Sequence, residues 1–144
     1  VTNMANIFGN ATNFNQPLNS WNVSNVTTMS GMFFGATNFN QPLDSWDVSS
    51  VTNMGSMFRD SAFDQDISSW QISQVTDFNS FALGSTFSTP NYDSLLIAWD
   101  AQGAMSYSGT VHFGNSVYTL GGSAETARTS LVAKWGGITD GGGI

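Results

Sequence analysis

Few side chains in this 144-residue chain are of types that do chemistry. His112 is the only histidine and cysteine is absent, so acid-base work would rest on one imidazole and thiol chemistry is excluded. His112 lies in Thr110-Val111-His112-Phe113, on the polar side of an alternating segment. A Ser-His-Asp site would need a nucleophile on a sharp strand-to-helix turn, and no Gly-x-Ser-x-Gly string is present to provide it. His112 reads as a surface or packing residue, and no catalytic residue is assigned. Asp60, Asp64 and Asp66 form the densest acidic group and invite a calcium reading. They lack the ordered oxygen ligands and closing Glu of a calcium loop, and Asp64 and Asp66 replace an Asn and a Pro of neighbouring segments. They read as solvated carboxylates, so neither a metal nor a cofactor is expected. Asn10-Ala11-Thr12, Asn22-Val23-Ser24 and Asn25-Val26-Thr27 match the N-glycosylation acceptor, a pattern that arises readily in a chain so rich in Asn, Ser and Thr.

Charge excludes more than these residues propose. Asp, Glu, Lys and Arg make up 9% of the chain, against roughly 25% in ordinary soluble domains. The net charge is −7, and the basic residues are only Arg59, Arg128 and Lys134. Phosphate recognition needs clustered Lys and Arg, so neither nucleic acid nor an anionic membrane is an expected partner. No apolar run nears the roughly 20 residues of a membrane span, so no membrane insertion is expected. A hydrophobic content of 40% and an aromatic content of 13% suffice for a continuous core. No charged-then-apolar signal stands at the N-terminus, and Val1 falls inside a repeat. The chain reads as a segment of a longer polypeptide with further repeats or domains, any leader or anchor lying outside it.

The elements that would position these side chains are written in an internal repeat. Val1-Thr2-Asn3-Met4 returns as Val26-Thr27-Thr28-Met29, as Val51-Thr52-Asn53-Met54 and, altered, as Val75-Thr76-Asp77-Phe78, at spacings of 25, 25 and 24 residues. A period in that range indicates stacked units. Phe14, Leu18, Trp21, Val23 and Val26 recur as Phe39, Leu43, Trp46, Val48 and Val51, then as Phe63, Ile67, Trp70, Ile72 and Val75, which marks them as core columns. Trp46-Asp47-Val48-Ser49 alternates as a half-buried strand does. Met29, Met32 and Phe33, like Met54, Met57 and Phe58, stand at i, i+3, i+4, the spacing of one helical face. Thr27 and Thr52 would be N-caps and Gly35 the helix stop. Pro17 and Pro42 hold the Phe-Asn-Gln-Pro-Leu segment out of any helix. The expectation is an α/β, leucine-rich-repeat-like solenoid with a short strand and a short helix per unit.

The string Phe39-Asn40-Gln41-Pro42-Leu43-Asp44-Ser45-Trp46-Asp47-Val48-Ser49-Ser50-Val51-Thr52-Asn53-Met54-Gly55-Ser56-Met57-Phe58 closely resembles the BspA-like repeat of bacterial surface proteins and mycoplasma-type lipoproteins. The resemblance covers about residues 1–87. It implies a leucine-rich-repeat-like solenoid at the cell surface with a role in adhesion or other protein and glycan contact, and it carries no catalytic residues. The last unit departs from the pattern. Phe78 and Phe81 replace the Met pair and Ala82 stands in register with Phe33 and Phe58. Beyond it, Asn91 to Trp99 reads as a helix, Thr110 to Phe113 and Ser116 to Leu120 as short strands, and Ser123 to Trp135 as a second helix with Ser123 as N-cap. Residues 88–144, ending in Trp135 to Gly142, thus read as a small α+β C-terminal cap over a solenoid of residues 1–87.

Polar positions recur beside the core columns. Gln16, Gln41 and Gln65 stand in register, as do Ser24, Ser49 and Ser73, and stacked units would place copies about 4.8 Å apart. They are read mainly as partners for turn backbone. Positions that vary between units are the binding candidates: Asn15, Asn40 and Asp64, with Asn22, Asp47 and Gln71. The functional expectation is a non-enzymatic, extracellular recognition or adhesion module of a larger bacterial surface protein, taking a protein or glycan ligand. The alternative is a structural spacer or stalk. A minor one is a flat hydroxyl array of Thr2, Thr27, Thr52 and Thr76 for ice or crystalline polysaccharide.

Overall fold

A computed structural model describes residues 1–144. Its regular elements are α1 (Thr89–Asp100), β1 (Gly109–His112), β2 (Val117–Tyr118), α2 (Ser123–Trp135), β3 (Gly136–Thr139) and β4 (Gly142–Gly143). β1 pairs in parallel with β3, and β2 in parallel with β4. Every one of these elements lies beyond residue 88.

The expected leucine-rich-repeat-like solenoid of strands and helices is therefore overturned. Residues 1–88 contain no helix and no strand; they are turns joined by isolated parallel bridges, Asn3 to Thr28, Thr28 to Asn53 and Asn53 to Asp77. What the structure holds instead is two helices and two short two-stranded parallel sheets behind a turn-built segment. The reason is visible in the backbone donors. The N–H groups of Met29, Gly31, Phe33 and Gly35 do not reach back along their own unit as helical donors would. They bond the carbonyls of Asn53, Gly55, Met57 and Arg59 at 2.8–2.9 Å. The intervening donors close local turns, as Met32 N to Met29 O and Phe34 N to Gly31 O do. Apolar residues at i, i+3, i+4 result from such consecutive turns as well as from a helix.

This alternation requires left-handed backbone twice in each unit, at Asn6 and Asn10, Gly31 and Gly35, Ser56 and Asp60, and Ser80 and Gly84. Gly adopts that conformation without cost, and Asn and Asp tolerate it better than most residues. At Gly31, φ is +61° and an added Cβ would collide with the Asn6 side-chain amide, so the glycine is required twice over. Thr27 and Thr52 cap nothing. Their hydroxyls donate to the carbonyls of Thr2 and Thr27, one unit earlier, at 3.1 and 3.2 Å.

A single cluster of 34 buried residues runs from Met4 to Trp135 and crosses residue 88 without a break. Its spine is aromatic. Phe8, Phe33 and Phe58 stack at 5.5 and 5.7 Å with nearly parallel planes, beside a second column of Phe14, Phe39 and Phe63. The columns turn edge-on at the fourth unit, where Phe58 meets Phe81 at 84° and Phe63 meets Phe87 at 87°. Ala82, in register with Phe33 and Phe58, brings no ring to the column, and Phe81 beside it is fully buried. α1 then takes over the role of a further unit: the Trp99 indole donates to Ile67 O, as Trp46 does to Leu18 O and Trp70 to Leu43 O.

Beyond α1 the helix expected over 123–135 occupies those residues, but Ser123 is its first helical residue and Gly122 its N-cap. β3 and β4 escape notice in the sequence because they consist largely of glycine, which has no strand preference. Phe33 is fully buried among Phe8, Phe39, Trp46 and Phe58. Phe33→Ala should lower stability by about 3–5 kcal/mol, read from the midpoint of denaturant unfolding. Ile97→Ala, at an exposed position, should stay within about 0.5 kcal/mol.

Candidate functional site

The six candidate positions fall into two rows with different bonding. Asn15, Asn40 and Asp64 form a ladder. The Asn15 Oδ1 accepts from Asn40 N at 3.0 Å and from Gln41 Nε2 at 3.1 Å. The Asn40 Oδ1 accepts from Asp64 N at 2.9 Å and Gln65 Nε2 at 3.0 Å. Asp64 closes the series by accepting from Ser88 N, Ser88 Oγ and Asn91 Nδ2 at the start of α1. Each side-chain oxygen accepts a backbone N–H of the segment that follows it in the series, Asn40 N, Asp64 N and Ser88 N in turn.

Asn22, Asp47 and Gln71 form the second row, all exposed. The Asn22 Oδ1 accepts from Ser24 N and Oγ, and the Asp47 Oδ1 from Ser49 N and Oγ, so each closes a local turn within its own unit. The Ser49 hydroxyl and amide hold the Asp47 carboxyl below its ordinary value, leaving it ionised. Gln71 makes no side-chain bond and stands free at the end of the row. A third row, Thr27, Thr52 and Thr76, directs its hydroxyl protons at the carbonyl of the preceding Thr.

The other chemically capable residues are dispersed. His112 is half-buried with Nδ1 at 2.5 Å from Thr139 Oγ1 across the β1–β3 pair, and no carboxylate orients it. Asp60 pairs with Arg59 at 3.3 Å, Asp64 belongs to the ladder, and Asp66 accepts from Ser68 N. Trp21, expected in the core, is 40% exposed, while Trp46 is 3% and Trp70 0%. The largest depression, about 670 Å³, is an open groove where the end of α1 meets the start of α2, bordered by Ile97, Asp100, Gly122 and Thr126.

Sequence reasoning missed one buried polar centre. The Asp140 carboxylate is 2% exposed and receives Arg128 Nε at 2.7 Å, Arg128 Nη2 at 3.1 Å, Tyr92 Oη at 2.7 Å and Gly142 N at 3.1 Å. Burial alone would raise its carboxyl, but the Arg128 and Tyr92 hydrogen bonds hold it below the ordinary value. Burial first, and then the Asp140 charge, push the Tyr92 phenol well above its usual range. The centre ties α1, α2 and the β3–β4 connection together. Lys134 does the same at the far end of both helices, donating to the Asp100 carbonyl and carboxylate at 2.7 Å each. The signal available in sequence was one aspartate amid glycines next to a helix carrying two of only three cations.

Turn-built sequence units joined by side-chain and backbone ladders, with no enclosed pocket, are the class of structure these residues define. Residues 1–103 match the family model described as "Mycoplasma protein of unknown function, DUF285", and the chain belongs to that family. The match passes residue 88 and ends just after α1. No curated protein and no solved structure matches the chain. No helix is long and apolar enough to cross a membrane.

Asn40→Ala strips two donors of their acceptor and should cost about 1–2 kcal/mol in denaturant unfolding, whereas Gln71→Ala should stay within about 0.5 kcal/mol. Asp140 contributes stability that is complete above the ordinary carboxyl value of 3.8 and is lost as pH falls through its lower folded value. Asp140→Asn should therefore be less stable than the parent at neutral pH, and the gap in urea midpoint should narrow once the pH drops below that value.

Proposed function

We propose that the chain is a non-enzymatic recognition module of a surface or extracellular protein, contacting a protein or glycan through the row of Asn22, Asp47 and Gln71. The observation that carries the reading is this row itself. It is exposed, repeats at the spacing of the units, and changes from amide to carboxylate to a longer amide while the core columns beside it keep their apolar character. A row whose members bond only within their own unit can vary without disturbing the stack. The scarcity of cations supports a partner other than nucleic acid, and the absence of an enclosed, polar-lined cleft supports binding over catalysis. The resemblance to BspA-like surface repeats points the same way, and the family's description names mycoplasmas and no activity.

A second reading is favoured by the other row. Asn15, Asn40 and Asp64 commit their oxygens to neighbouring units, which is what a spacer holding other domains apart would need.

Glycan and extracellular-protein arrays separate the two. A ligand bound by the parent should lose about tenfold or more in affinity with Gln71→Trp or Asp47→Tyr, at unchanged melting temperature. Binding that survives both substitutions removes this row as the site. Failure to bind any ligand on the arrays selects the spacer.

A further inference from the structure

Two members of the exposed row are held in one orientation by their own units. The Oδ1 atoms of Asn22 and Asp47 are committed to the amides and hydroxyls of Ser24 and Ser49 at 2.6–3.1 Å. The other atom of each planar group, Asn22 Nδ2 and Asp47 Oδ2, has no partner in the chain. The first can only donate, and the second, on an ionised carboxylate, can only accept. The Gln71 amide is free altogether and does both. The surface around them is polar throughout. Over residues 44–52 and 66–76 every accessible residue is Asp, Ser, Thr or Gln, and no apolar residue exceeds 3% exposure. No Arg, Lys or Tyr stands in either segment.

From this we infer that the ligand of the row is an extended, neutral polysaccharide lying along the stack, with one sugar opposite each of Asn22, Asp47 and Gln71. The inference rests on the reading of this row as the contact surface and supplies the class of its ligand. Protein interfaces take most of their energy from buried Trp, Tyr and Arg anchors, and this face offers none and no apolar pocket to receive one. Sugar hydroxyls both donate and accept, so they match free atoms that change from donor to acceptor to both along the row. The fixed order of N–H and C=O in a peptide does not. The spacing fits as well. Beneath the row the Trp46 and Trp70 rings stack with planes 6° apart, and parallel bridges hold successive units about 4.8 Å apart, close to the rise of one pyranose in a fully extended chain. Asp44 and Asp47, with no cation beside them, repel an anionic polymer. Only one of the three row members is charged, so a polymer cationic at every sugar finds no counter-charge at Asn22 or Gln71. Side chains already fixed by Ser24 and Ser49 lose little freedom on binding.

The test titrates the chain with cello-oligosaccharides and N-acetylchito-oligosaccharides of two to six sugars. Malto-oligosaccharides, whose linkage coils the chain, and anionic oligogalacturonates serve as comparisons. At least one of the extended neutral series should bind, with affinity rising about tenfold from two sugars to four and little beyond, because the row has three members. Asp47→Tyr should weaken that binding about tenfold or more at unchanged melting temperature, while Asp47→Asn, which keeps the planar group and its turn, should stay within about threefold. Equal binding of the coiled or anionic series, affinity indifferent to length, or an Asp47→Asn loss as large as that of Asp47→Tyr overturns the inference. So does a protein ligand that is lost with Asp47→Tyr where no oligosaccharide binds, and that result keeps the row as the contact surface. Oligosaccharide binding that Asp47→Tyr leaves intact, or no binding to any ligand, overturns the row and the inference together.

Discussion

The structure depends on the alternation of backbone donors between two destinations. One N–H in each pair closes a turn inside its unit, and the next crosses to the following unit. That division fixes the spacing of the sequence: the crossing bonds form only if Met4 lies opposite Thr28 and Met29 opposite Asn53, which holds the units to 24 or 25 residues. It also fixes which residues may stand at the left-handed positions, because the turns between crossing bonds reverse the backbone twice per unit. The aromatic columns follow from the same constraint, since identical backbone positions place identical rings above one another, with nearly parallel planes.

Side-chain polarity is put to the same end. With so few ionised groups, the chain joins its units through amides, hydroxyls and indoles: Asn15 and Asn40 serve the next backbone, Thr27 and Thr52 the preceding one, and the indoles of Trp46 and Trp70 share the Leu18 and Leu43 carbonyls with a turn N–H of the earlier unit. Such bonds are individually modest, but leaving one buried partner unmade costs more than the bond contributes. The ion pairs that join separate elements lie in the C-terminal region, where Asp140 and Lys134 fasten helices that have no repeating partner to stack upon, whereas the Arg59–Asp60 pair links only adjacent residues at the surface.

The buried columns were legible in the sequence. Phe39, Leu43, Trp46, Val48 and Val51 are all within 3% exposure, and α2 lies where its spacing places it. The conformation of the units was not, because Met29, Met32 and Phe33 share one face in consecutive turns as much as in a helix, and only the destination of their N–H groups separates the two. The recurrence of the candidate rows was legible in the sequence, and their bonding was not. Asn15, Asn40 and Asp64 vary in type, which looked like tuning for a ligand, yet amide and carboxylate oxygens are interchangeable as acceptors for the next backbone N–H. Asn22, Asp47 and Gln71 vary without that constraint. Asp140 was invisible because its partners Tyr92 and Arg128 come from two different helices that only the fold brings together.

α1 meets the third and fourth units as another unit would, with Ser88 and Asn91 on Asp64 and Trp99 on Ile67, although it is a helix and they are turns. It therefore reads only the groups immediately beneath it and none further down. A gene encoding such a chain can gain or lose 25 codons at a time with the termination left intact, since each excision or duplication restores the same surface under α1. The third unit, one residue shorter, keeps its crossing bonds, so the length of such a polypeptide changes in steps of 24 or 25 residues set by its hydrogen bonding.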